Sequence, residues 1–207
     1  MTEVQQLAQF VNQRDFQDLS ADAKTELKKR LLDSLACSIG AQEGAPIRRI
    51  RAQNEDFGGN PRATMIGGMK TAPDRVALYN SALVRYLDFN DSYLAKKETC
   101  HPSDNIGSVL SASEYMNRSG KDFLSALGIA YQVQCRLSDE APVRHHGFDH
   151  TVQGSYSAAA GAASALGLNP EQTANAIAIA GTAYNALRVT RTGNLSNWKG
   201  LAFPSTG

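Results

Sequence analysis

What this chain has little of narrows its function before any motif is read. Across 207 residues, 21 Lys and Arg stand against 20 Asp and Glu, a net charge of +1. With neither a basic excess nor a basic stripe, it lacks the electrostatic footprint with which a nucleic-acid binder neutralises phosphates. It has no run of about 18 apolar residues, the length a bilayer-spanning helix needs. Its longest small-residue run, SAAAGAASALG at 157–167, is too polar and too short for that role. The start, MTEVQQLAQF, has neither the basic region nor the apolar region of a signal peptide. Cysteine is scarce and odd in number. Cys37, Cys100 and Cys135 are too far apart for an iron–sulfur ligand set and fit free thiols in a reducing cytoplasm. There is no GxSxG elbow, P-loop or dinucleotide fingerprint, so hydrolase, kinase and dehydrogenase readings have nothing to stand on.

What is there is an ordinary globular composition, 42% hydrophobic and 20% charged, enough for one sizeable core. Helical periodicity dominates. Val4, Leu7, Ala8 and Val11 predict a first helix over 3–13. Ser20 caps a second, in which Leu27, Leu31, Leu35 and Ile39 form a stripe widened by Leu32 and Ala36. Pro46 suits the first turn of a third helix through Phe57, stopped by the GGNP at 58–61. ATMIGG at 63–68 reads as a small strand or hairpin arm. Thr71 caps a helix from Pro73 with Val76, Leu83 and Val84 on its apolar side. Further helices follow over 104–117, 121–138, 151–166 and 170 to about 187, with a last one from Trp198. The small-residue helices after Thr151 and Pro170 permit close approach and belong at the centre of the bundle. No repeat or linker divides the chain, which reads as one mainly helical, all-α domain over 1–207.

Four polar segments interrupt the helices: 88–104, 139–150, 188–197 and the start of the last helix at Lys199. The first holds Asp88, Asp91, Ser92, His101, Ser103 and Asp104. A long loop so dense in acid–base groups is more often functional than a spacer. His146 and His150 are four apart, as zinc pairs can be, but Gly147 lies between them and no HExxH or CxxC accompanies them, so no metal site is expected. Cys100 beside His101 is a weak nucleophile signal, because a thiol–imidazole pair forms through space rather than along the chain. What remains is cofactor-free general acid–base chemistry by His, Asp and Lys. Arg188, Arg191 and Lys199 can bind carboxylates, since the guanidinium fork matches their planar geometry.

Three segments carry a family resemblance: LDFNDSYLAKKETCHPSDN from Leu87, GFDHTVQGSYSAAAGAASALGL from Gly147, and ANAIAIAGTAYNALRVTRTGNLSNWKG from Ala174. Together, and in this order, they resemble the MmgE/PrpD family, which includes 2-methylcitrate dehydratase and cis-aconitate decarboxylase. The likeness runs from about Leu19 to Gly207. It implies the large helical domain of that family, represented by its N-terminal portion only, without the α+β lid, and with an apolar face exposed where further helices would pack. It also implies a homodimer and a small tricarboxylate substrate. It assigns Asp88, His101, His150 and Lys199 to the catalytic site and matches Ser92 to a hydroxyl position there; Asp91, Ser92 and Ser103 of the same polar segment, with Arg191, are expected to bind substrate. The implied reaction is dehydration of a hydroxy-tricarboxylate, with His101 and His150 as acid and base in either order. Decarboxylation or isomerisation of a related acid, and an inert helical module that only dimerises or binds carboxylates, are the other readings.

Overall fold

The computed structural model describes all residues, 1–207, as an all-α domain of nine helices with two minimal hairpins. Capping residues set several helix starts, Ser20 among those read from the sequence and Thr2 among those that were not. Helix α1 (Glu3–Gln13) opens on a Thr2 capping box, and α2 (Ala21–Gly40) on Ser20, whose hydroxyl accepts from the Ala23 amide at 3.1 Å. Pro46 lies in the first turn of α3 (Ala45–Phe57). Strands β1 (Ala63–Thr64) and β2 (Lys70–Thr71) pair antiparallel, bearing out the expected hairpin arm. Helix α4 (Pro73–Tyr86) starts where expected, but Ala72 is its N-cap and Thr71 belongs to β2, with its buried hydroxyl unpartnered. Proline at the first helical position spares one orphan amide, so a side-chain cap is less needed there.

A second hairpin, β3 (Tyr93–Leu94) with β4 (Thr99–Cys100), folds the long polar loop back on itself. The sequence gives no alternation long enough to show it. Helices α5 (Ile106–Tyr115), α6 (Gly120–Glu140), α7 (Thr151–Leu166), α8 (Pro170–Ala183) and the single-turn α9 (Trp198–Leu201) complete the chain. Helix α8 ends four residues before Leu187, because 186–188 are drawn into pairing with 147–149.

Two expectations about packing are corrected. The buried edge of α2 is Leu27, Ser34, Cys37 and Ser38, whereas Leu32 and Ile39 are largely exposed. Of the two small-residue helices only α7 is central. It packs on α5 and α6, with Gly161 set against Val109 and Ala130. Helix α8 rests on α7 and α1, burying only Thr173 and Ile177 and leaving Ile179 exposed. The main core joins Leu27, Ile106, Val109, Phe123, Leu124 and Leu127. A second cluster seats Ile47, Met65, Val76, Tyr79 and Leu83 between α3, α4 and the first hairpin. Tyr184, Leu187, Val189, Leu195 and Trp198 are among the exposed large apolar side chains. No helix is long and apolar enough to cross a membrane.

Candidate active site

Helix α4 ends by turning left-handed. Leu87 is its C-cap, still with helical angles, and Asp88 follows at φ 59°, a position where glycine is the usual occupant. An aspartate tolerates that region better than most residues, and here both its oxygens are held by cations. Lys199 Nζ donates to Asp88 Oδ2 at 2.7 Å across 111 residues of sequence, and Arg85 Nη1 donates to Oδ1. Burial alone pushes this carboxyl upward. The bonds from Lys199 and Arg85, together with their charges, outweigh that and bring its pKa down to about 2.

His101 returns to the same place at the end of the β3–β4 hairpin. Pro102 disfavours a helical conformation for the residue before it, so the 3₁₀ turn Pro102–Asn105 and then α5 begin only after His101, leaving the imidazole at their mouth. His101 Nδ1 lies 2.8 Å from the Asp91 carbonyl and 3.2 Å from Ser92 Oγ, and its Nε2 lies 3.3 Å from Arg85 Nη2. Because a carbonyl only accepts, Nδ1 carries the proton and Nε2 faces the guanidinium with its lone pair. Burial, then the Arg85 charge, lowers the His101 pKa, so the ring is neutral at neutral pH.

The other imidazole arrives from the 139–150 segment. Gly147, at φ 85°, turns the chain so that Phe148 bridges to Leu187. The Asp149 amide then donates to the Ala186 carbonyl, and the Arg188 amide to that of Gly147, both at 2.9 Å. This pairing carries Arg191 onto the fully buried Asp149, to which its Nε donates. His150, the residue before α7, places Nδ1 3.3 Å from Asp149 Oδ1, while its buried Nε2 has no partner. Burial, with the charge of Arg191 next, holds the His150 pKa well below the ordinary histidine value. The two rings lie 5.4 Å apart, centroid to centroid.

Asp88, His101, His150 and Lys199 are thus brought together, and Arg191 and the exposed Ser92 join them. Asp91 and Ser103 stand one layer back. The Asp91 carboxylate accepts from the Ser103 amide (3.0 Å) and the Tyr131 hydroxyl (2.8 Å), and the fully buried Ser103 Oγ accepts from Asn90 (2.9 Å). Their link to the cluster is the Asp91 carbonyl on His101. His145 and His146 remain exposed, apart from buried His150, and no three His, Cys, Asp or Glu side chains form a metal-ligand group. The Cys100 thiol is fully buried. Its contact with the Cys135 thiol, then burial, pushes its pKa up, the opposite of an activated nucleophile.

Sequence reasoning missed the residue on which the first half of the site turns. Arg85 is almost fully buried and meets Asp88, Asn90 Oδ1 (3.2 Å), His101 and, at 3.7 Å from its Nε, Asp104 Oδ2. The available signal was a charge inside the apolar run ALVRYL. Asp104, wholly buried, is pushed up to about 7 by burial, with Arg85 opposing and Asp91 reinforcing the shift. Glu98 was missed as well. It is buried on Arg144 at 3.0 Å and ties the hairpin to the His150 segment. Of nine buried side-chain polar atoms without a partner, seven belong to Arg85, Asp104, Gln134, His150, Thr151, Gln153 and Arg191. An unpartnered buried polar atom costs about 1–3 kcal/mol, and these concentrate along the segments that build the candidate site. The clefts along α1, between α2 and α6, and under the first hairpin are lined by none of the four catalytic candidates.

The chain compares with known proteins along nearly its whole length. A family model described as the MmgE/PrpD N-terminal domain matches residues 5–207. The 2-methylcitrate dehydratase of Escherichia coli is 30% identical over 184 residues, covering 81% of this chain and 38% of that enzyme. The mitochondrial 2-methylcitrate dehydratase of Yarrowia lipolytica is 30% identical over 201 residues, covering 91% of this chain and 38% of its own length. An alkylcitrate dehydratase from a fungal species is 28% identical over 208 residues, 92% of this chain and 41% of the relative. The chain therefore spans well under half the length of these curated relatives. A match over residues 5–207 is enough to place it: the chain belongs to the MmgE/PrpD family.

Proposed function

We propose that the protein acts as a hydro-lyase on a hydroxy-tricarboxylate of the 2-methylcitrate type, by acid–base elimination with its own side chains and no cofactor. The observation that carries this reading is the convergence of Asp88, His101, His150 and Lys199 from three distant segments onto one pair of neutral imidazoles flanked by cations. The names of the relatives, 2-methylcitrate and alkylcitrate dehydratase, support the substrate class.

Elimination asks for two proton transfers. A base takes the weakly acidic proton next to a carboxylate, and an acid delivers a proton to the departing hydroxyl, which leaves as water. Neutral histidine serves as the base, and the protonated ring so formed can then act as the acid. Charge that builds on the substrate carboxylate during proton removal is met by Lys199 and Arg191, fixed in place by Asp88 and Asp149. The exposed Ser92 lies with its Oγ 3.2 Å from His101 Nδ1, whereas Asp91 and Ser103 contribute through the orientation of that ring. A reducing cytoplasm and a homodimer complete the proposal, the first supported by three unpaired thiols and the second by the family resemblance.

The test is formation of the conjugated double bond from 2-methylcitrate, followed by ultraviolet absorbance, with the chain expressed together with whatever its reading frame encodes downstream. His101→Ala, His150→Ala and Lys199→Ala should each lower kcat/KM by roughly 100-fold or more, the scale of a lost acid–base group for the histidines as a pair and of a lost donor to developing charge for the lysine. Release of carbon dioxide without loss of water would make the protein a decarboxylase. A folded protein inert towards 2-methylcitrate and other alkylcitrates, or one whose dehydration is unchanged in His101→Ala, overturns the proposal.

A further inference from the structure

The two histidines are not equivalent, and the difference is imposed by a residue outside the assigned set. We propose that Arg85 is the positioning residue of this site: it holds Asp88 and the Nε2 lone pair of His101 at once, fixes His101 as the Nδ1–H tautomer, and leaves His150 as the ring with a nitrogen free to take a proton. The chemical consequence rests on the lyase reading above; the tautomer and its cause do not.

The geometry allows little else. Arg85 is 2% exposed, and its guanidinium spreads five donors in a rigid plane. Nη1 reaches Asp88 Oδ1 and Asn90 Oδ1 (3.2 Å), Nη2 reaches His101 Nε2 (3.3 Å), and Nε faces Asp104 Oδ2 (3.7 Å). A guanidinium stays protonated and only donates, so the nitrogen it meets on His101 must accept. The other ring nitrogen, Nδ1, is 2.8 Å from the Asp91 carbonyl, which only accepts, and must donate. Both nitrogens are therefore committed to protein partners of opposite kind, and only one tautomer satisfies both. Protonating Nε2 would set a second cation against the guanidinium.

His150 differs on each count. Its Nδ1 lies against the Asp149 carboxylate at 3.3 Å, and its Nε2 has no protein partner although the residue is 4% exposed. A carboxylate beside Nδ1 favours the tautomer with a bare Nε2 and steadies the imidazolium once a proton arrives. In an elimination, His150 Nε2 then accepts the substrate proton. His101 keeps its accepting nitrogen on Arg85 and orients the site.

A lysine cannot replace Arg85 in this role, because an ammonium is a compact charge that cannot span Asp88, Asn90 and His101 in one plane. The charged and titratable groups facing His101 are Arg85 from the end of α4, Asp88 beyond it, Arg191 from the 188–191 turn and His150 before α7. Tyr131 from α6 acts only through Asp91. Arg85 is the one that touches the ring nitrogen.

The experiment is long-range proton–nitrogen NMR of the histidine-labelled chain, which reports protonation of each ring nitrogen and needs no turnover. Four histidines give four patterns, and His101→Gln identifies the one that matters. The expected wild-type spectrum shows His101 with a protonated Nδ1 and an unprotonated Nε2 across about pH 6–8, around the ordinary histidine pKa. In Arg85→Gln the pattern should relax toward a mixture of tautomers, and the ring should begin to titrate within that range. If Arg85→Gln does not fold, Arg85→Lys is read instead. It should shift the His101 Nε2 resonance away from its wild-type position even though the positive charge is kept. An Nε2–H tautomer or an imidazolium at His101 in the wild type at neutral pH overturns the proposal, as does a His101 pattern unchanged in the folded Arg85 variants. Because the readout is the tautomer, a protein that fails to dehydrate 2-methylcitrate can still pass this test, and an active one can still fail it.

Discussion

At the scale of single residues, Asp88 combines a backbone cost with an electrostatic return. Its φ of 59° costs an ordinary L-residue roughly 1–2 kcal/mol, a cost glycine escapes. Against that stand the bonds from Arg85 and Lys199. The two can be separated by substitution. Asp88→Gly removes the carboxylate and keeps the turn, whereas Asp88→Ala removes the carboxylate and strains the turn. Asp88→Ala should therefore be less stable than Asp88→Gly by roughly 1 kcal/mol in urea denaturation, the reverse of the usual helix ranking of these residues. The pH dependence has a definite sign. The folded pKa, about 2, lies below the ordinary 3.8, so the carboxylate's contribution is complete above pH 3.8 and fades as pH falls toward 2. The gap between wild type and Asp88→Gly should close over that same interval. Equal stability of the Gly and Ala variants would show that the left-handed turn is not under strain.

At the scale of elements, helix ends were far more legible than helix faces. Ser20, Asn169, Pro46 and Pro170 fix where helices begin because capping is a local matter of orphan amides and short polar side chains. The buried face of α2 was misjudged because its strongest apolar repeat includes Leu32 and Ile39, which remain exposed, while Ser34 and Ser38 turn inward and satisfy their hydroxyls on the carbonyls of Arg30 and Ser34. Periodicity finds a stripe; it does not say which stripe a partner covers. For α7 the small residues were read correctly as a packing device, and Gly161 shows how close that packing is. A Cβ there would lie 2.7 Å from Val109 Cγ2, 2.9 Å from Ala130 Cβ and 3.2 Å from the Ala126 carbonyl. Alanine in place of glycine gains up to about 1 kcal/mol of helix propensity, but overpacking at such distances costs about 1–3 kcal/mol, so the clash wins. Gly161→Ala should lower stability by about 1 kcal/mol in thermal or chemical unfolding. Gly120→Ala, at the start of α6 with open space around its Cβ, should be neutral or slightly stabilising. A stable Gly161→Ala protein would mean that α5 and α6 can part without cost.

At the scale of the whole molecule, the site exists only because the end of the chain returns to the end of α4. The family resemblance placed Asp88, His101, His150 and Lys199 at the site. The sequence did not reveal what brings them together, because Arg85 resembles a solvent-facing charge until its helix is seen buried on all sides, and the Phe148–Leu187 bridge is a single pairing with no pattern to announce it. The closing contact is Phe203. It is fully buried, and its ring covers Gly154 so closely that a Cβ there would come within 2.3 Å of it. Four residues on, the Gly207 carbonyl accepts from Ser108 Oγ at 2.9 Å, which clamps the segment to α5. This clamp places the one-turn α9, too short to hold its own shape, where Lys199 can reach Asp88. Phe203→Ala should therefore act at two levels. Loss of the ring should cost about 3–5 kcal/mol of global stability, the range for emptying a buried aromatic position. Amide hydrogen exchange over 198–207 should also rise by more than that global loss accounts for, because the Lys199–Asp88 tether opens with the segment. The exposed Leu195 supplies the control, since Leu195→Ala should stay within about 0.5 kcal/mol of wild type. If Phe203→Ala matched that control, the C-terminal turn would be a passenger on the domain, and the approach of Lys199 to Asp88 would need another cause.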